Sequence, residues 1–469
     1  MSSTSETSCW PKRAHLIGVG GSGMSGLALL LHGLGVEVSG SDDHETPHVQ
    51  RLRGLGLNVE VGRRLRGFGA AEALVVRSAA VPESHEEWQE GLASGSDCKL
   101  YAAALGDLSR QLKTVAVAGT HGKTSTTALT VAAMRGGALD PSFLVGADVP
   151  ELGGNGYAGG SPFLVLESCE FNRSFHELQP HVAVLLNIEV DHFDCYASLD
   201  ELVQSFARFA AGVPAGGSVL AHETVPAEAL SQVRAGVCVY RIGAGQDVSA
   251  EELLFESGRV SFRPQLFGHL LPRTSLRVLG RFQATNALFA LAAASLCGAY
   301  APGAAEGLAA FPGVARRLEC IETRHGPLLF DYAHHPSEIA AVLETVRSAF
   351  PGRPLCVAFQ PHQHSRTRCL LEDFAKVLAS ADRCLIADIF AAREDPDQDH
   401  GVSSGDLAAA IRAYGGKAEA VGKVERLGSC LQQVLKESDS AGAGDARPLP
   451  LVLGAGELDG VVKALVRDE

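Results

Sequence analysis

Residues 115–127 read VAVAGTHGKTSTT: an apolar run, two glycines three apart, a lysine and a string of hydroxyls. A strand that ends in Gly-x-x-Gly-Lys-Thr and turns into a helix makes a phosphate cradle. The glycines let backbone N–H groups curl inward, and the helix N-terminus adds partial positive charge. Gly119, Thr120, His121, Gly122, Lys123, Thr124 and Ser125 form that cradle, with Lys123 set for the β- and γ-phosphates and the Thr124 hydroxyl for Mg²⁺. The full pattern has one more glycine where this chain has Val117, so the loop is a variant. A plain glycine turn would explain the glycines, but not Lys123, Thr124 and the preceding Val115–Ala118 run together.

Upstream, Gly18-x-Gly20-x-x-Gly23 follows an apolar strand, and Asp42 stands at the end of the next one. The spacing is that of a dinucleotide fingerprint. Its physics asks only for a pyrophosphate on a helix N-terminus and a carboxylate near a ribose. NAD or a UDP-sugar would satisfy it alike, and a glycine turn with no ligand is the third alternative. Downstream, Glu167 and Glu170 mark the end of FLVLES, while Asn187, Asp191 and His192 follow the run HVAVLLNI. Carboxylates at a strand end beside a phosphate loop make a Mg²⁺ platform. Glu170 ranks above Glu167, which could equally orient a ligand from behind, and His192 alone would suit a loop or cap as well. His334 and His335 after one late strand, and His362, His364, Arg366 and Arg368 after another, make a basic, titratable rim suited to anions and a reacting amine.

These groups stand where strands end, and the strands alternate with helical patterns throughout. HLIGVG, VEVSGSD and ALVVRSAAV form the first group; VAVAG, FLVLES and HVAVLLNI the second; LLFDYAHHP, PLCVAFQPH, RCLIADIF and PLVLGAG the third. Fully apolar strands of this kind are buried in parallel sheets. The expected architecture is α/β with three consecutive doubly wound domains: Rossmann-like over residues 1–110, P-loop ATPase-like over 111–312, closing after an alanine-rich helix at Asn286–Tyr300, and Rossmann-like over 313–469.

At 469 residues the chain is too long for one core. A net charge of −14 with dispersed basic residues excludes a nucleic-acid surface. No apolar run approaches the length of a membrane span, and the first residues, MSSTSETSCWPKR, lack the apolar core of a signal peptide and suggest a frayed tail. Eleven cysteines without a CxxC pair suggest a cytoplasmic protein whose thiols are mostly reduced core residues, Cys356 and Cys384 among them.

HLIGVGGSGMSGLA, VAGTHGKTST, ESCEFNRSF, LLNIEVDHFD, GRFQATNALFA, GVARRLE, DYAHHPSEI and FQPHQHSRTR together resemble the motif series of the Mur ligases, and the resemblance spans nearly the whole chain. The order and spacing are most similar to the branch that adds L-alanine to UDP-N-acetylmuramate. The resemblance implies an ATP- and Mg²⁺-dependent ligase of peptidoglycan precursor synthesis that acts through an acyl phosphate, as a monomer or homodimer. It implies a UDP-sugar site at Gly18, Gly20, Gly21, Ser22, Gly23, Met24, Ser41, Asp42 and Ser78, and Mg²⁺ on Thr124, Glu170 and His192. It also implies ATP contacts from Asn286, Arg317 and Asp331, and an amino-acid side at Tyr332, His334, His362 and Arg366. Lys123, Glu170, His192, Arg317, His362 and Arg366 would carry the chemistry. A peptide-adding relative that recycles cell-wall fragments shares these motifs, and an NAD-dependent oxidoreductase or a non-catalytic regulator would use only part of them. The chain departs from the family pattern at Phe282-Gln283, Phe330, Gln363, His364 and Phe171-Asn172, which bears most on the choice of amine.

Overall fold

The computed structural model describes residues 10–62, 73–190, 195–256, 259–392, 394, 400–440 and 447–467. Three sheets follow one another along the chain. The first is parallel, with strands β1 (Arg13–Ile17), β2 (Glu37–Asp42), β3 (Asn58–Val61), β4 (Ala73–Arg77) and β5 (Asp97–Leu100) in the order β3-β2-β1-β4-β5. The order reverses at β1, so the Gly18–Gly23 loop leaves the sheet at a switch point, where such sheets bind ligands.

The central sheet holds β6 (Lys113–Ala118), β7 (Ser142–Leu144), β8 (Gly156–Tyr157), β9 (Phe163–Glu167), β10 (Val182–Leu185), β11 (Ser218–His222) and β12 (Cys238–Ile242). It continues through β13 (Val248–Glu256), β14 (Arg259–Leu266), β15 (His269–Leu270) and β16 (Thr274–Leu276). Strand β6 lies between β9 and β10, parallel to both, so the phosphate loop is flanked by the two strand ends that carry Glu167 and Asn187. Uninterrupted βα alternation does not hold here: β13, β14, β15 and β16 pair antiparallel. Val260, Phe262 and Leu266 of β14 alternate inward because only one face is covered. The alanine-rich helix runs over Arg281–Leu296 rather than Asn286–Tyr300; it starts after Gly280 at φ 107° and stops before Gly298 at φ 85°.

The third sheet has β17 (Glu319–Thr323), β18 (Gly326–Asp331), β19 (Leu355–Phe359), β20 (Arg383–Ala387), β21 (Ala418–Gly422) and β22 (Leu449–Leu453), in the order β17-β18-β22-β19-β20-β21. All neighbours are parallel except the edge strand β17. Its two faces carry separate apolar clusters. By contrast, one cluster runs from Leu16 and Leu27 of the first domain into Ala116, Leu164 and Phe206 on one face of the central sheet. Glycines permit that approach: a Cβ on Gly156 would lie 2.1 Å from the Gly26 carbonyl oxygen.

The ten described cysteines are free, but only Cys297, Cys356 and Cys384 are buried; Cys169, Cys238, Cys320 and Cys369 are exposed, so the expectation of mostly core thiols fails. A short apolar stretch around a cysteine does not fix which side of a strand end it faces. Among the described residues no helix is long and apolar enough to cross a membrane. The expected frayed tail, residues 1–9, lies outside the described residues.

Candidate active site

The phosphate loop joins β6 to the helix Lys123–Gly136. Gly119 at φ 145° and Gly122 at φ 83° occupy backbone conformations that favour glycine, and a Cβ on Gly119 would meet Leu186 at 2.8 Å. No side chain caps this helix, which leaves its first N–H groups aimed into the loop. Asn187 clamps the loop from β10: its Oδ1 accepts from His121 N at 2.8 Å and its Nδ2 donates to His121 O at 3.1 Å.

Lys123 Nζ donates to the Gly119 and Thr120 carbonyls at 2.6 and 3.0 Å and to the Glu170 carboxylate at 3.1 and 3.2 Å. Burial works against the ammonium charge, and Glu170 more than offsets it, so the Lys123 pKa is raised. The lysine is therefore a fixed cation. Thr124 Oγ1 donates to Glu167 Oε2 at 2.9 Å, and the same oxygen accepts from Gly146 N at 2.9 Å. The two carboxylates thus divide the work: Glu170 faces the lysine and Glu167 faces the threonine. His192 lies outside the described residues.

From the third domain, Arg317 reaches Thr124 Oγ1 at 3.5 Å and stacks over Tyr332 at 4.9 Å. The neighbouring Arg316 turns away to Asp459 at 2.5 Å and to the Gly454 carbonyl at 3.0 Å. Asp331 sets this loop by accepting from Leu318 N at 2.6 Å and Ala333 N at 2.7 Å. Burial raises its pKa to about 6, against the pull of Arg317.

Beside the loop lies a cavity of about 720 Å³, within the range of small-molecule sites. Asn187, Phe282 and Asn286 line it with the apolar Leu186, Leu288 and Phe289, and Ala341 and Thr345 close it from the third domain. The Asn286 side chain sits beside Gly122, so the cavity is continuous with the loop.

The rim histidines split into groups. His334 and His362 have ring centroids 5.7 Å apart, and His362 Nδ1 accepts from the buried Arg366 guanidinium at 3.1 Å, which gathers two imidazoles around one fixed cation beside Tyr332. His364 is held aside by Glu394 at 3.0 Å and stacks on His400. Gln363 takes φ 71° and ψ 132°, a conformation that strains a side-chain-bearing residue, directly before the Arg366 turn.

In the first domain Asp42 is occupied: its oxygens accept from Gly20 N at 2.8 Å and His44 N at 3.0 Å. Gly18 N and Val19 N donate to the Ser41 carbonyl. The Met24 and Ser41 side chains are buried, and the Ser41 hydroxyl donates to Glu87. Ser78 Oγ accepts from Ala80 N. Ser22 Oγ donates to the Gly146 carbonyl at 2.9 Å, tying this loop to the residue that also touches Glu167.

His121 belongs to the expected cradle, and its ring meets the third domain: Nδ1 lies 3.1 Å from Glu338 and Nε2 3.2 Å from the Ser337 hydroxyl. Glu189, Ser337 and Glu338 were not singled out from the sequence. The string His335-Pro-Ser-Glu338 carries the spacing of a capping box, and the helix Pro336–Ala349 has one, so a signal for Glu338 was present. Nothing local pairs Glu189 with that helix.

Comparison with known proteins agrees with this geometry. Residues 13–113 match the family model "Mur ligase family, catalytic domain", residues 117–294 "Mur ligase middle domain" and residues 316–446 "Mur ligase, glutamate ligase domain". A UDP-N-acetylmuramate–L-alanine ligase from Stenotrophomonas maltophilia is 37% identical over 96% of this chain and 94% of its own. Another, from Oleidesulfovibrio alaskensis, is 39% identical over 85% and 88%. The crystal structure of a UDP-N-acetylmuramate–alanine ligase from Thermotoga maritima superposes with a TM-score of 0.76 at 24% identity, covering 97% of this chain and 98% of that one. A murein peptide ligase from Psychrobacter arcticus shares the fold, with a TM-score of 0.66 at 22% identity over 97% and 98%.

Proposed function

The chain belongs to the Mur ligase family, and from that premise we propose that it joins L-alanine to the carboxylate of UDP-N-acetylmuramate, consuming ATP, in peptidoglycan precursor synthesis. The observation that carries this reading is the meeting of three domains at one loop. Lys123 and Thr124 stand on it, Arg317 reaches it from the third domain, and Ser22 is tied to it from the first through Gly146 and Glu167.

A carboxylate does not react with an amine at neutral pH until one oxygen becomes a leaving group. The γ-phosphoryl group of ATP moves to that oxygen, ADP leaves, the amine attacks the acyl phosphate, and the tetrahedral intermediate expels phosphate. Phosphoryl transfer asks mainly for alignment and charge neutralisation. Lys123 and the open helix N-terminus supply fixed positive charge to the β- and γ-phosphates, Asn286 and the cavity hold the nucleoside, and Arg317 completes the cation set. A hydroxyl and a carboxylate are hard oxygen donors, so Thr124 and Glu170 suit Mg²⁺, with His192 the third ligand that the family resemblance implies; the ion when bound would neutralise phosphate charge. His334, His362 and Arg366 hold the carboxylate of the amino acid and orient its amine, and Tyr332 packs on Arg317 to join the two subsites. The first-domain loop from Gly18 to Gly23, with Ser78, takes the UDP-sugar, and the domains run over residues 1–110, 111–312 and 313–469. The reading places the enzyme in the cytoplasm, as a monomer or homodimer.

Incubation with ATP, UDP-N-acetylmuramate and either L-alanine or the muropeptide tripeptide tests it. Phosphate release with L-alanine is expected; release with the tripeptide alone would assign the chain to the recycling branch. Lys123→Ala is expected to abolish release from either.

A further inference from the structure

We propose that Glu189, Ser337 and Glu338 are positioning residues that latch the third domain onto the phosphate loop through the His121 ring. The inference rests on the ligase reading above and adds to it how the domains are locked for turnover.

The Ser337 hydroxyl is the hub. It donates to Glu189 Oε2 at 2.5 Å and lies 2.7 Å from His335 Nδ1 and 3.2 Å from His121 Nε2. A hydroxyl has one proton to give and two lone pairs to receive. With its proton on Glu189, it accepts from His121 Nε2–H, while Glu338 Oε1 at 3.1 Å takes Nδ1–H. The ring then carries both protons and is a cation between two carboxylates, one from each domain. Glu338 Oε2 meanwhile caps its own helix, accepting from His334 N at 3.0 Å and His335 N at 3.2 Å, so the carboxylate cannot shift without loosening that helix end. On the loop side the His121 peptide is clamped by Asn187 through both N and O. Each end is thus fixed to a rigid element, and the ring is the link between them. His121, Glu189 and His335 also have the donor set of a metal site, but the Ser337 hydroxyl already bonds to one donor atom of each.

Breaking the link leaves each domain folded and frees their mutual orientation. Arg317, and with it the amine-binding cluster, then meets Thr124 only part of the time. The loss falls on turnover and on the amine, while the first domain keeps its ligand.

The test uses the full-length enzyme and the variants Ser337→Ala, Ser337→Thr, Glu189→Gln and the double variant Ser337→Ala/Glu189→Gln. We expect Ser337→Ala and Glu189→Gln each to lower kcat about tenfold and to raise KM for L-alanine. The calorimetric Kd for UDP-N-acetylmuramate stays within about twofold of wild type, as misfolding would not allow. The double variant is expected to match the worse single, since both act through one ring. Ser337→Thr keeps the hydroxyl and should restore most of the rate. Small-angle X-ray scattering reads closure without turnover, and the Ala and Gln variants should be more extended than wild type. Wild-type kcat and KM in both singles, multiplied losses in the double, or a Thr variant as poor as the Ala one would each overturn the latch. If wild type forms no product while scattering still shows the variants opened, the ligase reading fails and the latch stands; turnover with unchanged scattering and kinetics in the variants sinks the latch alone.

Discussion

The first and central domains are joined by apolar packing, whereas the central and third are joined by charge. At the first junction one cluster runs from Leu16 and Leu27 to Leu164 and Phe206, and Gly26 and Gly156 bring the backbones into contact. Asn155 adds bonds to the Ser22 carbonyl and the Ser25 hydroxyl, at 2.6 and 2.8 Å. At the second junction Leu279 packs on the third-domain core, and the polar contacts include Arg317 on Thr124 and the Glu189–Ser337–His121–Glu338 group. Apolar burial is non-directional and indifferent to pH, so it fixes two bodies as one. Hydrogen-bonded ions are directional and can be exchanged for water or phosphate, so they suit a contact that opens for substrate and closes for reaction. On the proposed reading, one junction holds two bodies together and the other serves the chemistry.

The sharpest way to break this contrast is Arg317→Ala. It removes the charge that the third domain delivers to the phosphate loop, so kcat should fall about a thousandfold, while the melting temperature moves little. A variant that melts early with its kcat retained would reverse the roles given to the two junctions. In the apolar cluster that both domains share, Phe206→Ala should cost about 3–5 kcal/mol of stability, because the ring is fully buried and packs edge-on against Phe175 at 5.2 Å. Denaturant titration measures it, and kcat of the remaining folded enzyme should be near normal.

Next comes pH. Burial disfavours a charged His121, but Glu338 and Glu189 outweigh it and raise its pKa to about 9. That contribution is complete below the ordinary value of 6.5 and is lost as pH rises through about 9. The hydrogen bond from His121 lowers the Glu189 pKa from 4.5 to about 2, so its contribution is complete above 4.5 and is lost as pH falls through about 2. The charged junction should therefore be tightest between pH 4.5 and 6.5 and loosen toward pH 9. Scattering from pH 6 to 9.5 should show extension over that range, with UDP-sugar affinity unaltered; a constant radius throughout would refute the ionic account. The smallest effect belongs to the ion pair Arg51–Asp148, which crosses the apolar junction at 2.5 Å but is a third or more exposed at each end. Arg51→Ala should change stability by no more than about 1 kcal/mol. A loss comparable to that of Phe206→Ala would mean that charge, too, holds the first domain in place.

Much of this site was legible in the sequence because its chemistry is local. Gly119, Gly122, Lys123 and Thr124 are adjacent, their glycines have a backbone reason, and the loop formed as expected. The strands ending at Glu167, Leu185, Asp331 and Phe359 were equally plain, since fully apolar runs bounded by polar clusters leave few alternatives to a buried parallel strand. The antiparallel strands from Val248 to Leu276 were not, although the alternation in β14 carried the signal. Glu189 and Ser337 gave none, because their importance lies in a partner 148 positions away.

By itself the sequence determined the three-part α/β order, the phosphate loop and the set of residues from which a carboxylate–amine ligase could be built. Only the tertiary structure decided how those residues divide the work. It set Glu170 on Lys123 and Glu167 on Thr124, sent Arg316 away to Asp459, and gave Gly20 and His44 of the first-domain loops to Asp42. It also aimed the His121 ring at Ser337 and Glu338 of the third domain. The physical reason is range. Backbone conformation and apolar periodicity act over a few residues and are written in the local string, while the pairing of charges depends on which strand ends the sheets bring within a few ångströms.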